Sequence, residues 1–126
     1  MKDHATFLEA AQSVVRARPL ARFVLVGKDT ETLAPLASEK GLKDAILLLG
    51  YQSDVASLLP AMDIVCLSSA FGEGFPNVLG EAMACAIPCV STDVGDARNI
   101  LGDTGIVVPA RDPKVLAEAI IDLIDR

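Results

Sequence analysis

A chain of 126 residues has room for one hydrophobic core and no second full-sized domain, so it reads as a single unit over 1–126. Its net charge of −6 and pI of about 4.6 argue against general binding to nucleic acid or to an anionic membrane surface. Hydrophobic residues make up 52% and mean hydropathy is +0.44. Charges nevertheless break every apolar run well short of about 18 residues, so stable membrane insertion is not expected.

In chain order, Phe7, Leu8, Ala11, Val14 and Val15 recur at helical spacing, with Asp3 as N-cap. Arg22 to Val26 is a short strand stopped by Gly27. Leu33, Leu36 and Ala37 mark a helix closed by Gly41. Ala45 to Leu49 is a second strand, ended by Gly50. Ser53 is placed to cap a short helix carrying Val55, Leu58 and Leu59. Ile64 to Leu67 is a third strand running into Ser68-Ser69. Pro76 suits a first helical position, where its missing N–H has no partner to lose. Leu79, Ala82, Met83 and Ala86 should then face a core. Pro88 to Ser91 and Thr104 to Val108 are further strands, and Asp112-Pro113 opens a last helix with Val115, Leu116, Ala119, Ile120 and Leu123 inward.

Strands alternating with helices imply an α/β fold: a doubly wound, mainly parallel sheet. With aromatics at 4% and no Trp, the core must be aliphatic and the sheet buried on both faces. The chain opens on a helix, so the strand that usually comes first is lacking; either the chain is cut at Met1 or the sheet is rearranged. Ligands bind beyond the carboxyl ends of such strands, and Gly27, Gly50, Ser68-Ser69 and Thr92-Asp93 should share that rim. Cys66, Cys85 and Cys89 lie in apolar segments and read as buried thiols of a reducing, cytoplasmic compartment. With only His4 to join them, they do not suggest a metal site.

The chemistry concentrates between Phe71 and Glu81. Glu73 precedes the helix and Glu81 lies in its second turn on the same side as Asn77, so two carboxylates flank a group of free backbone N–H donors. That arrangement suits a ligand with many hydroxyls and a negative charge near the helix start. Phosphate-binding fingerprints of other kinds fail. Asn77 stands where a third glycine would complete G-x-G-x-x-G after Gly72 and Gly74, and Gly27-Lys28 is followed by Asp29 rather than Ser or Thr.

Met1-Lys2-Asp3-His4, Val26-Gly27, Leu49-Gly50-Tyr51, Ser68-Ser69, Glu73-Gly74-Phe75-Pro76, Glu81-Ala82-Met83-Ala84-Cys85 and Thr92-Asp93-Val94-Gly95 together resemble the C-terminal, donor-binding domain of retaining family-4 glycosyltransferases. The resemblance covers essentially the whole chain in order. It implies the Rossmann-like half of a GT-B enzyme that moves a sugar from a nucleoside-diphosphate sugar to a hydroxyl acceptor. It also implies no cofactor, no metal, and an N-terminal acceptor domain that is missing here. By position, Lys2 matches a lysine on the donor diphosphate, and Gly50 and Tyr51 match the segment that meets the base. Glu73 matches the acid on the donor sugar, which we take as the catalytic carboxylate. Gly74, Phe75, Asn77 and Val78 match the cradle for sugar and phosphate, Ser68 a rim contact, and Glu81 the acid on the ribose hydroxyls. Departures are Asn99, where an acid is common, and Gly27-Lys28-Asp29, which lacks a second glycine.

Plainer readings stand beside these. Glu73 and Glu81 could form a solvated face, Ser68 a turn, Lys28 a solvated loop, and Phe75 a plug for its own loop. A second function follows from the lacking strand: a non-catalytic module binding nucleotide or protein, whose unpaired sheet edges favour a homodimer.

Overall fold

The computed structural model describes residues 2–71 and 77–126. Its elements are α1 (His4–Ala17), β1 (Phe23–Val26), α2 (Ala34–Glu39) after one 3-10 turn, and β2 (Ile46–Gly50). After a second 3-10 segment, Ala56–Ala61, come β3 (Val65–Leu67), α3 (Asn77–Ala84), β4 (Cys89–Thr92), α4 (Ala97–Leu101), β5 (Ile106–Val108) and α5 (Pro113–Ile124).

Both long helices start as their sequences dictate. An Asp3 carboxylate oxygen accepts from the Thr6 N–H at 3.2 Å, and the other accepts from the Thr6 hydroxyl at 2.6 Å. Asp112 accepts from the Val115 N–H at 3.2 Å, just ahead of Pro113. Each cap is worth ~1 kcal/mol. Behind these caps, α1 buries Phe7, Leu8, Ala10, Ala11 and Val14, and α5 buries Leu116, Ala117, Ala119 and Ile120. The two helices lie side by side, and Arg18 joins their carboxyl ends by a forked pair to Asp125 at 2.8 and 2.5 Å.

All described ladders are parallel. β1 pairs with β2, and β3-β4-β5 form a second sheet. α3 and α4 cover one face of the three-stranded sheet through Leu79, Ala82, Ala97 and Leu101 against Val65, Leu67 and Cys89. α1 and α5 cover the other through Ala10, Val14, Leu116 and Ile120 against Val90 and Val108. Helices on both faces of a parallel sheet make the fold doubly wound.

Among the described residues the strands fall into two sheets, with β1 and β3 at the split. Among the described residues β1 and β3 each pair on one side only, yet Phe23 of β1 and Cys66 of β3 pack into the same two apolar clusters beneath α1. Phe7 meets Phe23 edge-on with ring centroids 5.7 Å apart, a contact worth about 0.5–1.5 kcal/mol beyond its buried area.

Several expectations need correction. Full burial of the sheet holds for β4, whose four residues are all buried, but not for β1 and β2. Leu47 is 56% exposed, because α1 and α2 both pack on the opposite face, against Phe23, Leu25 and Ile46. Ser53 is exposed and does not cap the 3-10 segment, whose N-cap position is Val55; the Ser57 N–H donates instead to the Asp54 carboxylate at 3.2 Å. Ala86 does not face a core: it lies past the end of α3, exposed, at φ 58°. Cys85 is exposed, not buried. The five-residue α4 between β4 and β5 was not expected. No helix among the described residues is long and apolar enough to cross a membrane.

Candidate functional site

Hydrogen bonds gather the expected rim residues into two groups. In the first, Thr92 at the end of β4 donates its hydroxyl to the Ser69 carbonyl at 2.7 Å, fixing the chain that leaves β3. The Asp93 N–H donates to the Val108 carbonyl at 2.8 Å, tying the ends of β4 and β5. The Ser68 hydroxyl reaches the Asp3 carbonyl at 3.5 Å, which brings the start of α1 to the same place. In the second group, the Gly50 N–H donates to the buried Thr30 hydroxyl at 2.7 Å, and the Gly27 N–H donates to the Gly50 carbonyl at 2.8 Å. Gly50 has φ 68°, and a Cβ there would collide with the Glu31 carboxylate. Among the described residues no hydrogen bond links the two groups.

Asn77 opens α3 and is exposed; Val78 is half-buried. Glu81, one turn on, is exposed while Leu79 and Ala82 anchor the helix, so Asn77 and Glu81 lie on one outward face. Among the described residues the Glu81 carboxylate has no hydrogen bond or ion pair, which leaves it open to a ligand. Tyr51 projects beyond β2 with 73% of its surface exposed. Glu73, Gly74, Phe75 and Pro76 lie outside the described residues.

A cleft of about 390 Å³ opens at the first group, lined by Lys2, Asp3, Thr6, Ala70, Phe71 and Arg111. Lys2 is exposed, and the Arg111 guanidinium stands 6.0 Å from the centre of the Phe71 ring. His4, the first residue of α1, is held below its usual pKa by burial and then by the nearby Lys2 charge. A second cleft of about 350 Å³, between α1 and the end of α2, is lined by Gln12, Arg16, Lys40 and Leu42 and has none of the expected site residues. Burial pushes the Cys89 thiol up to about 11; burial, then Cys89, pushes Cys66 to about 12, so neither supplies a thiolate near neutral pH.

Two contributors were missed from sequence: Thr30 and Arg111. Arg111 immediately precedes the Asp112-Pro113 helix start, so its position was readable. Thr30 follows Gly27-Lys28-Asp29 and looks like an ordinary turn residue.

A model of the family described as "Glycosyl transferases group 1" matches residues 1–126. The chain belongs to this family. N-acetyl-alpha-D-glucosaminyl L-malate synthase of Bacillus anthracis is 38% identical over 108 residues, covering 82% of this chain and 28% of that protein. Phosphatidyl-myo-inositol mannosyltransferase of Mycobacterium leprae is 34% identical over 128 residues, covering 98% of this chain and 34% of its own length. The chain thus spans about a third of these group 1 relatives. Among solved structures, Anabaena Alr3699/HepE in complex with UDP superposes with a TM-score of 0.87 at 26% identity, over 98% of this chain and 36% of that one. The same protein with UDP-glucose gives a TM-score of 0.88 at 25% identity, again over 98% and 36%. The group 1 domain described above therefore has the architecture of the Rossmann-like half of GT-B glycosyltransferases.

Proposed function

We propose that this chain is the nucleotide-sugar-binding domain of a retaining family-4 glycosyltransferase. In the whole enzyme it presents the donor, and an N-terminal domain presents the hydroxyl acceptor. The observation that carries the reading is the outward Glu81, without a partner among the described residues, one turn beyond Asn77, eight residues after Glu73 and on the helix that follows β3. A vicinal diol is matched by a carboxylate acceptor, so Glu81 takes the ribose hydroxyls. Glu73 holds the donor sugar as the catalytic carboxylate. Gly74, Phe75, Asn77 and Val78 supply the cradle, with Ser68 at its edge. Tyr51 meets the base, since the Gly50 N–H is already taken by Thr30. Lys2 offsets the charge that grows on the leaving diphosphate, which lets the transfer proceed without a metal or other cofactor. The complexes of Alr3699/HepE with UDP and UDP-glucose support a nucleoside diphosphate as the common element.

By itself the 126-residue chain binds nucleotide weakly and transfers no sugar. Calorimetric titration with UDP, GDP and ADP, beside Glu81→Ala, tests the assignment. Loss of the Glu81 hydrogen bonds is expected to weaken the preferred nucleotide roughly ten- to hundredfold. Equal affinity in the variant contradicts the ribose role, and turnover by the chain alone contradicts its inactivity.

One observation favours a second reading. β1 and β3 each have an unpaired flank among the described residues, and such edges pair readily with another chain. On that reading the chain is a non-catalytic module that dimerises through its sheet. Sedimentation velocity decides it: a concentration-dependent dimer supports the module, and a monomer at all concentrations rejects it.

A further inference from the structure

We propose that Arg111 is a second phosphate-binding cation, acting across the cleft from Lys2 on the diphosphate of the donor; the donor's identity rests on the function proposed above. The two side chains come from opposite ends of the sequence, at the start of α1 and after β5, and line one cleft of about 390 Å³. Arg111 has no hydrogen bond or ion pair with a carboxylate among the described residues, unlike Arg18, Arg98 and Arg126, which each hold an aspartate. Its guanidinium carbon stands over the Phe71 ring, 6.0 Å from the centroid, a cation–π contact that takes none of its N–H donors. A guanidinium presents those donors as a planar fork that a phosphate meets two at a time. Phe71 thus attracts the charge without using a donor, and in sequence it precedes the segment that carries Glu73.

The one carboxylate among the described residues lining the cleft is Asp3, and it is engaged at the start of α1. Its two oxygens already accept from the Thr6 N–H and hydroxyl, at 3.2 and 2.6 Å. Arg111 is also held at φ 58°, a conformation that glycine adopts freely. That makes Arg111→Gly a variant that removes the side chain and keeps the backbone.

The test is calorimetry of the full chain, Arg111→Gln and Arg111→Gly with inorganic pyrophosphate, UDP, GDP and ADP, and with the nucleoside matching the preferred nucleotide. Thermal melts of each variant accompany it. Both variants are expected to weaken pyrophosphate and the preferred diphosphate tenfold or more, to flatten the salt dependence of binding, and to leave the nucleoside unchanged. Arg111→Lys, which keeps the charge and loses the fork, falls between. Unchanged diphosphate and pyrophosphate affinity in well-folded Arg111→Gln and Arg111→Gly overturns the role of Arg111 and leaves the donor site standing. Arg111-dependent binding of pyrophosphate without binding of any nucleotide supports the cleft and overturns the donor reading. No binding of any probe by the unsubstituted chain overturns both.

Discussion

Thr30→Val isolates the hydrogen bond that holds the end of β2 against the turn after β1. Valine matches threonine in shape, so the change removes an oxygen and little volume. The Thr30 side chain is fully buried and its hydroxyl oxygen accepts from the Gly50 N–H at 2.7 Å. Gly50 is buried as well, so its N–H then has neither a protein partner nor water. Stranding a buried donor costs about 1–3 kcal/mol. For a domain of this size that lowers Tm by roughly 3–10 °C. Thr30→Ser keeps the oxygen and loses one methyl group, about 0.8 kcal/mol. Urea unfolding followed by circular dichroism gives both values, and hydrogen exchange at the Gly50 amide shows whether its protection is lost in the valine variant alone. A valine variant as stable as the parent, or less harmed than the serine variant, refutes the reasoning.

Other expectations concern titration, reactivity and strain. His4 has its pKa lowered in the folded chain, so folding favours its neutral form. Its contribution is therefore present above pH about 6.5 and is lost as pH falls through the depressed value, and His4→Gln should flatten that acid-side decline in urea midpoints. Cys85 is exposed, whereas burial pushes Cys89 and Cys66 to about 11 and about 12, so iodoacetamide near pH 8 should label Cys85 first, as intact mass will show; equal labelling of Cys66 contradicts its raised pKa. Ala86 sits exposed at φ 58°, where a Cβ costs about 1–2 kcal/mol, and glycine gives back roughly 0.5–1 in chain entropy. Ala86→Gly should therefore raise the urea midpoint slightly with an unchanged slope.

Local signals were legible where one residue decides one structure. Asp3 and Asp112 announced the two long helices, Gly27 and Gly50 the ends of β1 and β2, and apolar runs the strands between them. Burial of whole faces was less legible. Leu47 and Val24 have the composition of a core strand, but nothing in their own sequence says that α1 and α2 will both pack on the other side. Ala86 continues the helical spacing of Leu79 and Met83, and only the turn toward Cys89 takes it off that face. The site divides in the same way. Asn77 and Glu81 share a face because they are four residues apart on one helix. Lys2 and Arg111 line one cleft because α1 and α5 pack together, a long-range fact that spacing along the chain does not carry.

The central claim is the location of the nucleotide, and an amide NMR titration of the chain with UDP, GDP or ADP tests it directly. The account predicts that the preferred nucleotide shifts Lys2, Tyr51, Ser68, Asn77, Val78 and Glu81 and leaves the cleft of Gln12, Arg16 and Lys40 unmoved. Shifts confined to that second cleft, or none at saturating nucleotide, would contradict it.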